Sequence, residues 1–230
     1  MKSNKALIGY SGFVGSNLKE CDFTHLYNSK NIKRIAGKKF SLVVCSAPSA
    51  EKWKINQEPE KDLENIKSLL EILSNVKCDR FVLVSTIDVL TDKSKVSYGG
   101  NRLFFEKEVQ KMFKNVTIFR LPGLFGAGLK KNIIFDLKNK VTDFVKLDSS
   151  FQWIDIKRVV ELFSSKNFPD GICELYPEPI KTSDLVKTFF PDQFDKCSHH
   201  SGAHYDFKPK GGYFLKKKQV LKDLGEYLAS

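Results

Sequence analysis

Through residue 125, apolar runs of four to six residues alternate with longer stretches that are apolar on one side only, the signature of strands alternating with helices around a parallel sheet. The pattern predicts strands at Ala6–Gly9, Thr24–Tyr27, Phe40–Cys45, Arg80–Ser85 and Val116–Arg120. It predicts helices at Gly12–Lys19, Glu60–Leu73 and Tyr98–Phe113. Phe40–Cys45 and Arg80–Ser85 are apolar throughout, as strands covered on both faces are. In the second helix Leu63, Ile66, Leu69, Leu70 and Leu73 recur at helical spacing. Phe105, Val109 and Met112 do so in the third.

Beyond Gly128 the pattern loosens. A helix near Asn132–Lys138, a strand at Phe151–Asp155, a helix at Ile156–Ser164 and a last helix near Lys216–Leu228 are separated by Pro169 to Gly212, whose prolines suggest loops and short elements. The expected organisation is a core over residues 1–128 and a small lobe over 129–230 that partly returns to it.

Composition narrows the class. A chain of 230 residues with 41% hydrophobic and 28% charged residues can build its own core, and it contains no apolar run of the roughly 20 residues that span a bilayer. Met1–Lys5 and the short apolar run after it form no secretory signal pattern, so a cytoplasmic location is expected. The five scattered cysteines read as free thiols. Net charge is +11, most of the excess lying in the first 150 residues, but the basic residues are largely lysines spread singly among acids. The densest run, Lys216-Lys217-Lys218, reads as a solvated helix start, so neither a nucleic-acid nor a membrane partner is expected.

The strongest local signal is Gly9-Tyr10-Ser11-Gly12-Phe13-Val14-Gly15, placed directly after a predicted strand and before a predicted helix. In such a turn the first glycine permits the bend, the second lets backbone approach a pyrophosphate, and the third lets helix pack on strand. Gly9, Ser11, Gly12, Phe13, Val14 and Gly15 are therefore candidate dinucleotide contacts. The second strand ends in Tyr27-Asn28-Ser29-Lys30 without the carboxylate that reads a free ribose 2′-hydroxyl. Asn28, Ser29 and Lys30, with Lys33 and Arg34 nearby, either receive a 2′-phosphate, which favours NADP over NAD, or are ordinary loop residues.

Further blocks occur in order along the chain, and together they resemble the extended short-chain dehydrogenase/reductase family, which includes nucleotide-sugar epimerases and dehydratases. Val43-Val44-Cys45-Ser46-Ala47 resembles the strand ending under the adenine ribose, and Asn65 lies where the family carries an asparagine. Phe81–Val89 resembles the strand bearing the catalytic Ser or Thr, here Thr86. Arg120-Leu121-Pro122-Gly123-Leu124-Phe125-Gly126-Ala127-Gly128 resembles the segment backing the nicotinamide, and a weaker likeness continues at Phe151–Asp155. The resemblance implies an α/β fold, a Rossmann-type doubly wound parallel sheet with a small C-terminal substrate lobe. It also implies NAD or NADP as cofactor, with Ser46, Ala47 and Pro122 among its contacts.

Two departures matter. The family's Tyr-x-x-x-Lys stands here as Tyr98-Gly99-Gly100-Asn101-Arg102, with the two side chains one helical turn apart. Arg102 can lower the Tyr98 pKa and bond the nicotinamide ribose, but arginine cannot hand on a proton. The segment between Thr86 and Tyr98 is also shorter than in the larger epimerases, as is the chain after Gly128, which implies a smaller or differently shaped substrate. The expected function is an atypical NAD(P)-dependent oxidoreductase or epimerase/dehydratase-like enzyme acting on a sugar-like, nucleotide-linked small molecule. Tyr98 is its acid/base, Thr86 orients the substrate, and Arg102 tunes Tyr98. The alternative is a catalytically degenerate NAD(P)-binding module that senses the cofactor or supports a partner protein. A homodimer is compatible with the family.

Three other features are given bland readings. Asp88 reads as a strand-end cap, Trp53 and Trp153 as packing anchors, and Cys197, His199, His200 and His204 as a loop with incidental histidines, with no metal site expected.

Overall fold

A computed structural model describes residues 4–92 and 96–230. In chain order it forms β1 (Lys5–Ile8), α1 (Phe13–Leu18), β2 (His25–Tyr27), β3 (Lys39–Cys45), α2 (Lys52–Ile55), α3 (Pro59–Leu73), β4 (Lys77–Thr86), α4 (Tyr98–Met112) and β5 (Val116–Leu121). There follow β6 (Gly123–Phe125), α5 (Ile133–Lys138), β7 (Lys146–Phe151), β8 (Trp153–Asp155), α6 (Ile156–Ser164) and β9 (Gly171–Glu174). The chain closes with β10 (Ile180–Lys181), α7 (Thr182–Phe189), β11 (Ser198–His204) and α8 (Lys217–Ala229). Two compact units result. One takes the chain up to Leu121 together with Val160–Glu174, the other Pro122–Val159 together with Leu175–Ser230.

The first unit is a six-stranded sheet in the order β2-β1-β3-β4-β5-β9, with every pairing parallel. The middle stretches of β1, β3, β4 and β5 are apolar because both faces are covered. Ala6, Ile8, Val43, Cys45, Phe81, Leu83 and Ile118 meet Ile66, Leu70 and Leu73 of α3 and Phe105 and Val109 of α4. Their neighbours Leu7, Val44, Val82 and Phe119 are equally buried on the other face. There Phe119 lies 5.1 Å from Phe163 in the C-terminal part of α6, and Cys21, just beyond α1, contacts Val160 and Ser164. Helices on both faces of a parallel sheet make this a Rossmann-type, doubly wound fold.

The strand order reverses at β1, which has β2 on one side and β3 on the other. Segments leaving the C-terminal ends of β1 and β3 diverge over opposite faces, and the crevice between them is where open α/β sheets bind ligands.

The second unit has a three-stranded sheet, β10-β7-β11, and a parallel pair, β6-β8. Arg158 pairs with Asp223 of α8, and Ser149 Oγ on β7 bonds Thr182 Oγ1 on α7 at 2.6 Å. Lys216 and Lys217 at the start of α8 pair with Glu178 and Asp184, so two members of the densest basic run are neutralised.

Two sequence expectations are revised. Phe151–Asp155 is not one strand, because Gln152 interrupts it. The buried Gln152 amide donates to Pro177 and Phe207 carbonyls and accepts from Phe207 N, which leaves β7 and β8 in different sheets. Within the proline-rich stretch, Gly171–Glu174 joins the core sheet as its sixth strand and Thr182–Phe189 is a full helix. Cys197 to His204 is mostly strand β11, and all five cysteines are free thiols. Among the described residues, no helix is long and apolar enough to cross a membrane and no cluster of His, Cys, Asp or Glu could hold a metal ion.

Candidate active site

The glycine turn sits at the strand-order reversal. Gly9 N bonds Tyr27 O at the end of β2, Gly12 N bonds Gly9 O, and Ser46, just after β3, returns both its amide and its hydroxyl to Ile8 O. Gly9 has φ +85°, the left-handed region that glycine enters without strain. A Cβ on Gly15 would lie 2.1 Å from Gly9 O, inside the backbone of the turn. Gly12 differs. Its φ of −79° suits any residue, and a Cβ there would meet nothing closer than Gly9 O at 3.5 Å. Gly9 and Gly15 are thus glycines because the fold needs them, whereas packing does not explain Gly12. Gly12 and Ser11 are exposed, Phe13 and Val14 half-buried, and no side chain caps the start of α1. A cradle that is closed by backbone on two sides and left bare at its outward glycine fits a pyrophosphate approaching the main chain.

Asn28 starts a tight bend, accepting from Lys30 N through Oδ1, and Ser29, Lys30, Lys33 and Arg34 project into solvent. Ser46 and Ala47 are half-buried at the end of β3. Asn65 is exposed on α3. Pro122 is buried as the first residue of the second unit.

The second cluster lies where β4 delivers Thr86 and the start of α4 delivers Tyr98. Ser97 caps α4, its hydroxyl accepting from Gly100 N, and Tyr98 N bonds Asn56 Oδ1 just after α2. Gly99 allows close approach, since a Cβ there would sit 2.3 Å from Asp88 O. Deeper in α4, Glu106 accepts from Ser85 Oγ at 2.5 Å and from Arg120 Nη2 at 2.7 Å, which pins the helix to β4 and β5.

Tyr98 is 5% exposed. Burial pushes the phenol pKa up. Arg102, Thr86 and Lys52 pull it down, and Asp88 adds to the rise. The Arg102 guanidinium lies over the Tyr98 ring, 4.7 Å from its centre. It does so because Asp62 on α3 holds it there. Nη1 bonds Asp62 Oδ2 at 2.8 Å, Nη2 bonds Asp62 Oδ1 at 3.1 Å, and Nη2 also donates to Ser49 O at 2.6 Å. Asn101 Nδ2 donates to the same carboxylate and to Pro59 O.

Sequence reasoning brought Tyr98, Thr86 and Arg102 together but missed what surrounds them. Asp62 resembles any acid in the first turn of a helix, and nothing local signals its partner 40 residues away. Asp88, read as a strand-end cap, carries more than a cap. Thr86 Oγ1 donates to its Oδ2 at 3.0 Å, while Lys52 Nζ lies 2.5 Å from its Oδ1. In a sequence so rich in lysine, Lys52 carries no signal of its own.

No family model matches the sequence, and no curated protein matches it. Solved structures do. A UDP-N-acetylglucosamine 4-epimerase from Methanobrevibacter ruminantium, in complex with UDP-N-acetylmuramic acid, superposes with a TM-score of 0.69 at 13% identity, covering 99% of this chain and 97% of its own. The NAD-dependent NDP-hexosamine 5,6-dehydratase TunA of tunicamycin biosynthesis gives 0.70 at 15% identity, covering 100% and 92%. WbmH from Bordetella bronchiseptica, in complex with NAD+, gives 0.69 at 12% identity, covering 99% and 96%. The chain shares the fold of these enzymes over essentially its whole length.

Proposed function

We propose that this chain is a nicotinamide-dinucleotide-dependent oxidoreductase of the epimerase/dehydratase type, acting on a sugar-like, nucleotide-linked substrate. The observation that carries the reading is the bare, outward-facing Gly12 in a turn whose other two glycines are required by packing, at the point where the strand order reverses. The likeness to enzymes whose names specify UDP-sugars, NDP-hexosamine and NAD supports it.

In this reading Gly9 to Gly15 hold the pyrophosphate, Ser46 and Ala47 lie under the adenine ribose, and Asn28, Ser29 and Lys30 receive a 2′-phosphate, so that NADP is preferred. The bound nicotinamide would supply hydride acceptance and return. Tyr98 handles the proton. Burial keeps its phenol protonated at neutral pH, so it stands ready to donate from Oη to a carbonyl oxygen. Thr86 sets the direction of that hydroxyl and orients the substrate oxygen. Arg102 acts through its charge. Fixed under the ring by Asp62 and Ser49, it stabilises the phenolate left after donation.

The same buried ion pair favours a second reading, a dinucleotide-binding module without turnover, because a guanidinium committed to Asp62 and Ser49 is a structural strut. Replacing Arg102 by Lys separates the two. An enzyme adapted to arginine loses rate, whereas a module without turnover shows no rate in either form.

The test of the main reading is parallel titration with NADPH, NADP, NADH and NAD, followed by protein fluorescence. Micromolar binding with preference for the phosphorylated forms is expected. Binding of none of the four overturns the reading.

A further inference from the structure

Oxidation of a substrate hydroxyl requires Tyr98 to lose its proton beforehand, and Arg102 cannot carry it. Guanidinium stays charged at any working pH, and here it is held by Asp62 and Ser49. A different set of groups also acts on the phenol. Thr86 favours ionisation of the Tyr98 phenol, and its Oγ1 donates to Asp88 Oδ2 at 3.0 Å and accepts from Asp88 N at 3.2 Å. Asp88 Oδ1 meets Lys52 Nζ at 2.5 Å and Thr91 Oγ1 at 3.4 Å. Exposure rises along the row. Tyr98 is 5% exposed, the Asp88 side chain 13% and the Lys52 side chain 40%.

We propose that Thr86 and Asp88, with Lys52 holding the carboxylate, form the path by which the Tyr98 hydroxyl exchanges its proton with solvent. The Tyr98 proton passes to Thr86 Oγ1 as the Thr86 proton passes to Asp88 Oδ2. Water then takes it from the carboxylic acid, and the reverse sequence returns it. Thr86 ends each passage as a hydroxyl, and no electron moves. Lys52 is a positioning residue, holding Asp88 Oδ1 so that Oδ2 stays aligned with Thr86. The other charges near Tyr98 serve elsewhere. Asp62 on α3 neutralises Arg102, and Asp92 packs beside Gly99.

This inference rests on the assignment of Tyr98 as the proton-handling group, but its test needs no cofactor. The full chain is labelled with 13Cζ-tyrosine and dissolved in equal H2O and D2O. Slow hydroxyl exchange then splits a Cζ signal in two, and comparison with Tyr98→Phe identifies the Tyr98 line among the seven tyrosines. Asp88→Asn can still accept the bond from Thr86 but takes up no proton, so a merely structural Asp88 would leave the rate unmoved. The expected result is exchange about tenfold slower in Asp88→Asn and in Thr86→Val, a barrier higher by about 1.4 kcal/mol. Lys52→Met, at a half-exposed position where folding is not at stake, slows exchange by a smaller factor. Wild-type rates in the folded variants overturn the path, and if Asp88→Asn does not fold, an unchanged rate in Lys52→Met does so alone. Failure to bind any nicotinamide nucleotide overturns the functional reading and leaves this measurement standing.

Discussion

The glycine turn and the Tyr98 cluster are built on opposite principles within the same unit. The turn is almost all backbone. Its shape is set by one left-handed residue, by a carbonyl that excludes a Cβ at Gly15, and by the Ser46 bonds to Ile8 O. The cluster is almost all side chain, a row of charged and polar groups from Asp62 through Arg102, Tyr98 and Thr86 to Asp88 and Lys52, drawn from α2, α3, α4, the end of β4 and the turn after it. Where backbone closes on backbone, as at Gly15, the site tolerates no added atom, and it is insensitive to pH. Side-chain sites tolerate substitution sterically and answer to every nearby charge.

Substitutions sharpen that contrast, the largest effect coming from Gly15→Ala. Its Cβ would meet a carbonyl that cannot move without unmaking the turn, so a loss of about 3 kcal/mol or more is expected in denaturant unfolding. Gly12→Ala, by contrast, is expected to unfold within about 0.5 kcal/mol of the wild type. Close behind is Arg102→Met, which strands Asp62 in the interior and is expected to cost about 3 kcal/mol by the same measurement. If both charged-pair and glycine variants proved harmless, neither site would be built as described.

The side-chain end is further marked by its response to pH. Burial raises the folded Tyr98 pKa above its unfolded value of about 10, so the stabilisation from keeping the phenol neutral is complete below about pH 10. It is lost as pH rises through the folded value. Tyr98→Phe should therefore flatten the alkaline fall in stability without altering the curve at neutral pH. The Cζ titration of Tyr98 should move down in Asp88→Asn, which removes a charge that opposes ionisation. The smallest effect expected is at the periphery. Lys30→Ala should weaken NADPH about threefold to tenfold, with NADH unchanged, as the loss of one exposed phosphate contact implies.

The same contrast explains what the sequence revealed. The turn was legible because its logic is local, with three glycines, a strand before them and a helix after. The parallel sheet was legible for the same reason, from strands apolar throughout. Helical spacing predicts Arg102 on the tyrosine's side of α4, yet its partner Asp62 lies on another helix, and no spacing rule connects them. Lys52 and Asp88 were missed because an ion pair between a loop-flanking lysine and a strand-end acid leaves no periodic trace. Strand β9 escaped because four residues, mostly half-buried and following Pro169, carry too little apolar pattern. The split at Gln152 escaped because its amide is satisfied by Pro177 and Phe207, far along the chain.

The most direct test of the central claim is calorimetric titration of NADPH into the wild-type chain and into Gly12→Ala. The expected result is micromolar binding to the wild type and a loss of at least about tenfold, about 1.4 kcal/mol, in a variant that is otherwise as stable. Equal affinity in both proteins, or no binding to the wild type, would contradict the assignment of the glycine turn as a pyrophosphate cradle.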